Sequence, residues 1–185
     1  MINNRLRKIE NLEKCTCLQN LCLRQNTIKA DSLPGLEPVS GTLKKLELYE
    51  NQITGTGLSE WAISKENFIF PNLIYLDFSF NPLRQLNEIE KEGEKVATTE
   101  LKAGGPLSVF PNLEYLFFVD CKITRVPPLS CLSHLRSLEL GSNRIRTIEG
   151  LDALVNLEEL WLGKNKITQI QVSSFWPNTS FFIGN

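Results

Sequence analysis

Apolar residues recur along this chain in one fixed order, L-x-x-L-x-L-x-x-N-x-I. The stretch from Leu135 to Ile167 holds it twice: Leu135, Leu138, Leu140, Asn143 and Ile145, then Leu157, Leu160, Leu162, Asn165 and Ile167. Within each copy the L-x-L segment alternates apolar and polar residues, the period of a strand buried on one face. Carried backwards, the same frame fits Leu18, Leu21, Leu23, Asn26 and Ile28, then Leu43, Leu46, Leu48, Asn51 and Ile53. It fits again at Leu73, Leu76, Phe78, Asn81 and Leu83, and at Leu113, Leu116, Phe118, Cys121 and Ile123, where cysteine takes the asparagine place. The pattern predicts six strands.

Asn143 to Asn165 is a spacing of 22 residues, and tandem copies of this motif at that period mark a leucine-rich repeat, whose consensus admits N or C at the asparagine place. The expected fold is an α/β leucine-rich-repeat solenoid, one domain over residues 1–185. It is a curved slab with a parallel sheet on its concave face and short 3-10 helices or turns on its convex face. The asparagine should bond the backbone of the turn leaving each strand, and tails such as Ile145, Ile148 and Leu151 should return along the convex side.

The asparagine positions are separated by 25, 30, 40, 22 and 22 residues, so insertions enlarge the middle of the array. Two long units re-enter the frame through Phe70-Pro71-Asn72 and Phe110-Pro111-Asn112, echoed by Trp176-Pro177-Asn178, and proline there should fix the turn into the strand. The largest insertion, about 86–106, is charged and poor in aromatics, and is expected as a short surface helix or a mobile loop. Asn4 lies 22 residues before Asn26 and places Met1 at a strand leucine position. Phe182 falls on another. Neither end shows a polar cap, so the chain is expected to be part of a longer array.

With the leucines assigned to the interior, the outward strand residues can be read off. The central column runs Cys22, Glu47, Asp77, Phe117, Glu139 and Trp161. Beside it run Asn20, Lys45, Tyr75, Tyr115, Ser137 and Glu159 on one side, and Arg24, Tyr49, Ser79, Val119, Gly141 and Gly163 on the other. Aromatic rings and carboxylates gathered on a solvent-facing sheet are what protein interfaces use as anchors. Tyr75, Tyr115, Phe117 and Trp161, with Glu47, Asp77 and Glu139, are therefore the expected partner-binding set.

Composition narrows the chemistry. A net charge of −1 and a pI of about 6 give no electrostatic reason to expect nucleic acid or an anionic membrane. No apolar run reaches the roughly 18 residues of a membrane span. Five cysteines, an odd number, and a start without a secretory apolar segment suggest a reducing intracellular setting, and the expected localisation is nucleus and cytoplasm. Cys15, Cys17 and Cys22 lack the paired four-ligand spacing of a zinc site, so no metal or other cofactor is expected. Cys121 and Cys131 fall at ordinary repeat positions as small fillers. The lone His134 sits at a strand entry, and no nucleophile elbow, phosphate loop or H-E-x-x-H occurs. The carboxylates of the central column are expected to be separated by at least one strand each, or to lack His or Cys companions, which argues against acid–base or metal chemistry. No catalytic residues and no small-molecule substrate are expected, and the chain reads as non-enzymatic.

The units LCLRQNTI, LELYENQI, LDFSFNPLR, LFFVDCKIT, LELGSNRIRTIE and LEELWLGKNKIT resemble, in order, consecutive repeats of the leucine-rich-repeat regulatory subunit of protein phosphatase 1, the regulatory subunit 7 family. The resemblance implies a horseshoe whose concave face docks on the phosphatase catalytic subunit. It assigns the contacts by position to Glu47, Asp77, Phe117, Glu139 and Trp161. The family's spacing is 22 throughout, whereas insertions of 3, 8 and 18 residues interrupt the second to fourth units here; these should bulge from the convex side or the edge. The alternative is a generic repeat adaptor with another protein partner, akin to spliceosomal, dynein or tubulin-cofactor repeat proteins.

Overall fold

Strands whose side chains alternate in and out can stack side by side only if their inward residues stay in register, and that constraint sets the architecture. The computed structural model describes residues 1–64, 69–84, 86, 88–91, 94–97, 105–171 and 180–182. Along the chain lie β1 (Asn20–Cys22), a 3-10 helix (Ala30–Val39), β2 (Lys45–Glu47), α1 (Gly55–Ser64), β3 (Tyr75–Asp77), β4 (Glu88–Lys91) and β5 (Glu94–Ala97). A second 3-10 helix (Gly105–Val109), β6 (Tyr115–Phe117), β7 (Ser137–Glu139), β8 (Thr147–Ile148), β9 (Glu159–Trp161), β10 (Gln169–Ile170) and β11 (Ser180–Phe182) follow. The main sheet has seven strands in the order β1-β2-β3-β6-β7-β9-β11, all neighbours parallel. The chain is a leucine-rich-repeat solenoid.

The repeat leucines do what their spacing requires. Leu21, Leu46, Leu76, Leu116, Leu138 and Leu160 pair in register across the sheet and are all buried. Two places along, Leu23, Leu48, Phe78, Phe118, Leu140 and Leu162 form a second buried row, in which the rings of Phe78 and Phe118 stack 6.0 Å apart. Most of this burial is against the neighbouring coil, so no unit is stable alone.

The asparagines form a ladder behind these rows. Asn143 donates from Nδ2 to the carbonyls of Phe118 (2.6 Å), Leu140 (2.9 Å) and Gly141 (3.1 Å). Its Oδ1 accepts from the backbone N–H of Cys121 and of Ile123, both at 3.0 Å. One side chain thus satisfies buried backbone groups of two coils. Asn26, Asn51, Asn81 and Asn165 repeat the scheme, each accepting from the coil before it: Leu6 N–H, Ile28 N–H, Ile53 N–H and Ile145 N–H. The Leu6 bond, with Asn26 Nδ2 donating to Met1 O, places the first residues in the frame expected for them. Just before each ladder position the backbone turns left-handed, at Asn3, Gln25, Glu50, Phe80, Asp120, Ser142 and Lys164, with φ between 47° and 58°.

Three details differ from the sequence expectation. In the short coils the convex side begins with an extended pair that the pattern does not predict, β8 with β10 in parallel, in segments rich in β-branched Thr147, Ile148, Thr168 and Ile170. The expected tight turns follow it, with Leu154 N–H bonded to Leu151 O at 3.0 Å and Leu157 N–H to Leu154 O at 3.1 Å. Helical convex segments occur where the coils are longer. The first holds Pro34 and Pro38, which withhold the donors an α-helix needs. In the largest insertion the described segments β4 and β5 pair antiparallel, with Glu88 opposite Ala97, where a surface helix or a loop is expected; its residues 87, 92–93 and 98–104 lie outside the described set. Finally, β11 pairs Phe181 with Leu160 and Phe182 with Trp161. Phe182 is one place beyond the leucine position, and a one-residue shift moves a strand side chain to the other face.

The insertions also supply core. Phe70 and Phe110 are buried, with ring centroids 5.1 Å apart, and both pack on Trp61 of α1 at 6.4 and 6.1 Å. The asparagines after the two prolines anchor strand entry: Asn72 Nδ2 donates to Gly41 O (2.7 Å) and Asn112 Nδ2 to Pro71 O (2.8 Å). Asn156 does the same in a short coil, to Ser133 O at 2.7 Å. The third segment of this kind, Trp176-Pro177-Asn178, lies outside the described residues.

Candidate interaction face

Because successive strands pair without offset, residues at equivalent positions form straight rows across the concave side. The central row is Cys22, Glu47, Asp77, Phe117, Glu139, Trp161 and Phe182, each directly opposite the next. The sequence columns are thus one surface, extended by Phe182, which the repeat count alone assigns to the interior.

At one end of the row Cys22, Glu47, Lys45 and Tyr75 form a connected polar group. Lys45 Nζ lies 3.2 Å from Glu47 Oε1 and 4.3 Å from the centre of the Tyr75 ring. Burial works against ionisation of Glu47, but hydrogen bonds from Cys22 and Lys45 and the charges of Lys45 and Arg24 outweigh it and hold the carboxyl below its ordinary range. The same burial, with the bond to Glu47, pushes the Cys22 thiol up. Glu47 is therefore adjacent to Asp77 in register and has a cysteine neighbour. The expected separation of the column's carboxylates does not hold at this pair, because the repeats carrying them are consecutive in the sheet. Among the described residues no group of three or more His, Cys, Asp or Glu could hold a metal ion.

The middle of the row is aromatic. Tyr75 packs on Phe117 at 5.0 Å and on Tyr115 at 6.4 Å, and burial and the nearby charges of Asp77 and Glu47 push its hydroxyl up. Phe117, Tyr75 and Tyr115 are half-buried. Asp77 departs from the expectation of an exposed carboxylate: it is buried, and its Oδ1 accepts from Ser79 N–H at 2.9 Å. A short side chain in the hollow, between larger neighbours, turns back to its own backbone.

Glu139 lies between Phe117 and Trp161. It is half-buried, and burial together with the charge of Asp77 raises its carboxyl above the ordinary value near 4.5. Among the described residues it makes no ion pair. Beyond it Trp161, 39% exposed, stacks on Phe182 with centroids 3.7 Å apart and planes 10° from parallel. The neighbouring Gly141 keeps this part of the hollow open on one side. A Cβ there would lie 3.5 Å from Gly163 O and 3.8 Å from Glu139 Oε1.

The other candidates for chemistry are dispersed. His134 is exposed at a strand entry. Cys121 is buried in the ladder, its thiol pushed up to about 12 by burial, and none of the five cysteines is in a disulfide. A cleft of about 600 Å³ lined by residues including Arg7, Lys8, Lys29 and Asp31 sits by the first 3-10 helix and shares no residue with the row. No helix among the described residues is long and apolar enough to cross a membrane.

A family model described as leucine-rich repeats (two copies) matches residues 111–153 and 134–178, and a second, a leucine-rich repeat, matches 40–60. No curated protein matches the chain. Among solved structures it is similar to internalin C2 of Listeria monocytogenes, at 23% identity and a TM-score of 0.57, over 100% of this chain and 77% of that one. It is also similar to a leucine-rich-repeat protein of Leptospira interrogans, at 27% identity and a TM-score of 0.54 over 82% of this chain, spanning 32% of the other.

Proposed function

We propose that this leucine-rich-repeat protein is a non-enzymatic binding module whose concave row docks on a protein partner. One observation carries the reading: Glu139 stands half-buried and, among the described residues, without an ion-pair partner, between Phe117 on one side and the Trp161–Phe182 stack on the other. A carboxylate in that position costs the free protein solvation and gains most when a partner brings a donor or a cation to it. Large rings beside it offer contact area at small entropic cost. Glu47, already held by Lys45 and Cys22, and Asp77, turned to its own backbone, shape the floor; Tyr75, Tyr115, Phe117, Glu139 and Trp161 make the contact.

The finer reading names the partner as the protein phosphatase 1 catalytic subunit, and the module as its regulator inside the cell. It is supported by the resemblance of the six repeat units to the regulatory subunit family and by the alternation of acidic and aromatic residues along the row. The coarser reading, an adaptor for another protein, fits the same surface. Pulldown with the purified catalytic subunit separates them. Retention of the wild type, and its loss in the double variant Glu139→Lys, Trp161→Ala, is the expected result. Equal retention of both places the contact elsewhere, and no retention of the wild type leaves the adaptor reading.

A further inference from the structure

The left-handed turns that close each strand form a lip beside the concave row, and one of them is unlike the rest. Six of the seven positions carry Asn, Gln, Glu, Asp, Ser or Lys; the remaining one is Phe80, with φ of 58°. A bulky side chain is an outlier in this region, which favours glycine and asparagine. Phe80 is also 41% exposed, and its ring contact among the described residues is with Tyr49, at 4.8 Å. Tyr49 in turn lies under the Arg24 guanidinium, 4.7 Å from the ring centre. The residue therefore carries backbone strain and an exposed apolar surface together, while the interior rows close without it. Strain kept at an exposed position points to function.

We infer that Phe80 is a second anchor for the partner, on the lip, and that it seats in an apolar pocket rimmed by Lys or Arg. The charge of the occupant follows from its neighbours. Backbone bonds join the lip turns in sequence, Glu50 N–H to Ser79 O at 2.8 Å, Phe80 N–H to Val119 O at 2.7 Å and Asp120 N–H to Gly141 O at 3.1 Å. Phe80 is thus flanked by the exposed carboxylates of Glu50 and Asp120. Lys45 is engaged with Glu47 and Arg24 with Tyr49. An acidic partner would meet like charge on both sides of the ring, whereas a basic rim meets complementary charge. The inference rests on the partner reading above and extends its footprint from the hollow to the edge.

The test uses the full chain and purified phosphatase 1 catalytic subunit, with affinity by titration calorimetry and stability by thermal melting. Asparagine accepts the left-handed turn, so Phe80→Asn is expected to bind about tenfold more weakly yet melt no lower than the wild type, and up to about 4 °C higher. Phe80→Tyr, which keeps the ring, should keep the affinity. Trp161→Ala serves as the reference for the hollow. Unchanged binding by Phe80→Asn while Trp161→Ala weakens removes the lip anchor and leaves the concave reading. A Phe80→Asn melting point several degrees below wild type also overturns it, by giving the ring a folding role. If the wild type does not bind the catalytic subunit, the partner reading falls and the anchor with it.

Discussion

Asn143 and Cys121 occupy the same place in successive coils and do unequal work. Asn143 accepts two backbone N–H groups of the previous coil and donates to three carbonyls. Cys121 offers a weak donor, Sγ, to Phe78 O and Val119 O, and has no side-chain oxygen for the coil before it; Leu83 N–H bonds the backbone carbonyls of Asn81 and Cys121 instead. Asn143→Ala should therefore cost about 1–3 kcal/mol, from the groups left unpaired. Cys121→Asn, close in volume, should gain about 0.5–1.5 kcal/mol; both are read from urea midpoints at constant m. Glu139 gives the second prediction at this scale. Its folded carboxyl titrates above its unfolded value, so the stabilising proton is bound below that value and lost as pH rises through the folded one. Ionised Glu139 then weighs against the fold at pH 7, and Glu139→Gln should be more stable than wild type there. The advantage should shrink as pH falls and vanish below about 4; an equal gain at both ends of that range would mean that charge is not its cause. The ladder asparagines were legible in the sequence because their spacing is fixed. The left-handed turns before them were not, because residues as different as Ser142, Lys164 and Phe80 fill them, and only the backbone records the conformation.

At the level of elements, the legible part of the sequence was the part with a strict period. Two-residue alternation placed β1, β2, β3, β6, β7 and β9 and their register, since each leucine must stay inward. Where the spacing departs from 22 the period gives no guide, and the convex side shows it. The β4–β5 pair lies in the longest coil and depends on local propensity, which the repeat frame does not describe. The β8–β10 pair keeps the 22-residue period, Thr147 opposite Gln169, but its extended conformation comes from β-branched residues that the motif does not specify. Phe182 is the same failure at the last strand: the frame counts residues, while the strand pairs one residue early. The insertions also read as additions at the margin, yet Trp61, Phe70 and Phe110 form an aromatic cluster within the interior. Phe110→Ala should consequently cost about 3–5 kcal/mol, as much as truncating a core aromatic of the strands, measured by denaturant unfolding. A loss below about 1 kcal/mol would mean that the insertion packs on the solenoid without supporting it.

For the whole molecule, the parallel register separates two tasks between alternate residues of one strand. Leu140 faces inward and is fully buried; Trp161, in the next coil's outward row, has its neighbours Glu139 and Phe182 on the same surface. The geometry of the candidate face was legible in the sequence as far as this alternation reaches: it put Tyr75, Tyr115, Phe117, Glu139 and Trp161 on one side of the sheet. It did not show that Asp77 would fold back on Ser79, since that depends on crowding in the hollow. The separation makes the last prediction two-sided. Leu140→Ala should lose about 2–5 kcal/mol of stability, while the protein that remains folded keeps its affinity for the partner. Trp161→Ala should lose about tenfold or more in affinity while its denaturation midpoint moves little, because the ring packs on Phe182 and solvent and not on the leucine rows. Stability loss in a solenoid passes to adjacent coils through their shared interface, so the Leu140 measurement must be made well below the melting transition, with partner titration and unfolding on the same samples. If Leu140→Ala weakens binding as much as Trp161→Ala does under those conditions, the concave row is not an independent surface, and partner recognition depends on the curvature of the slab as a whole.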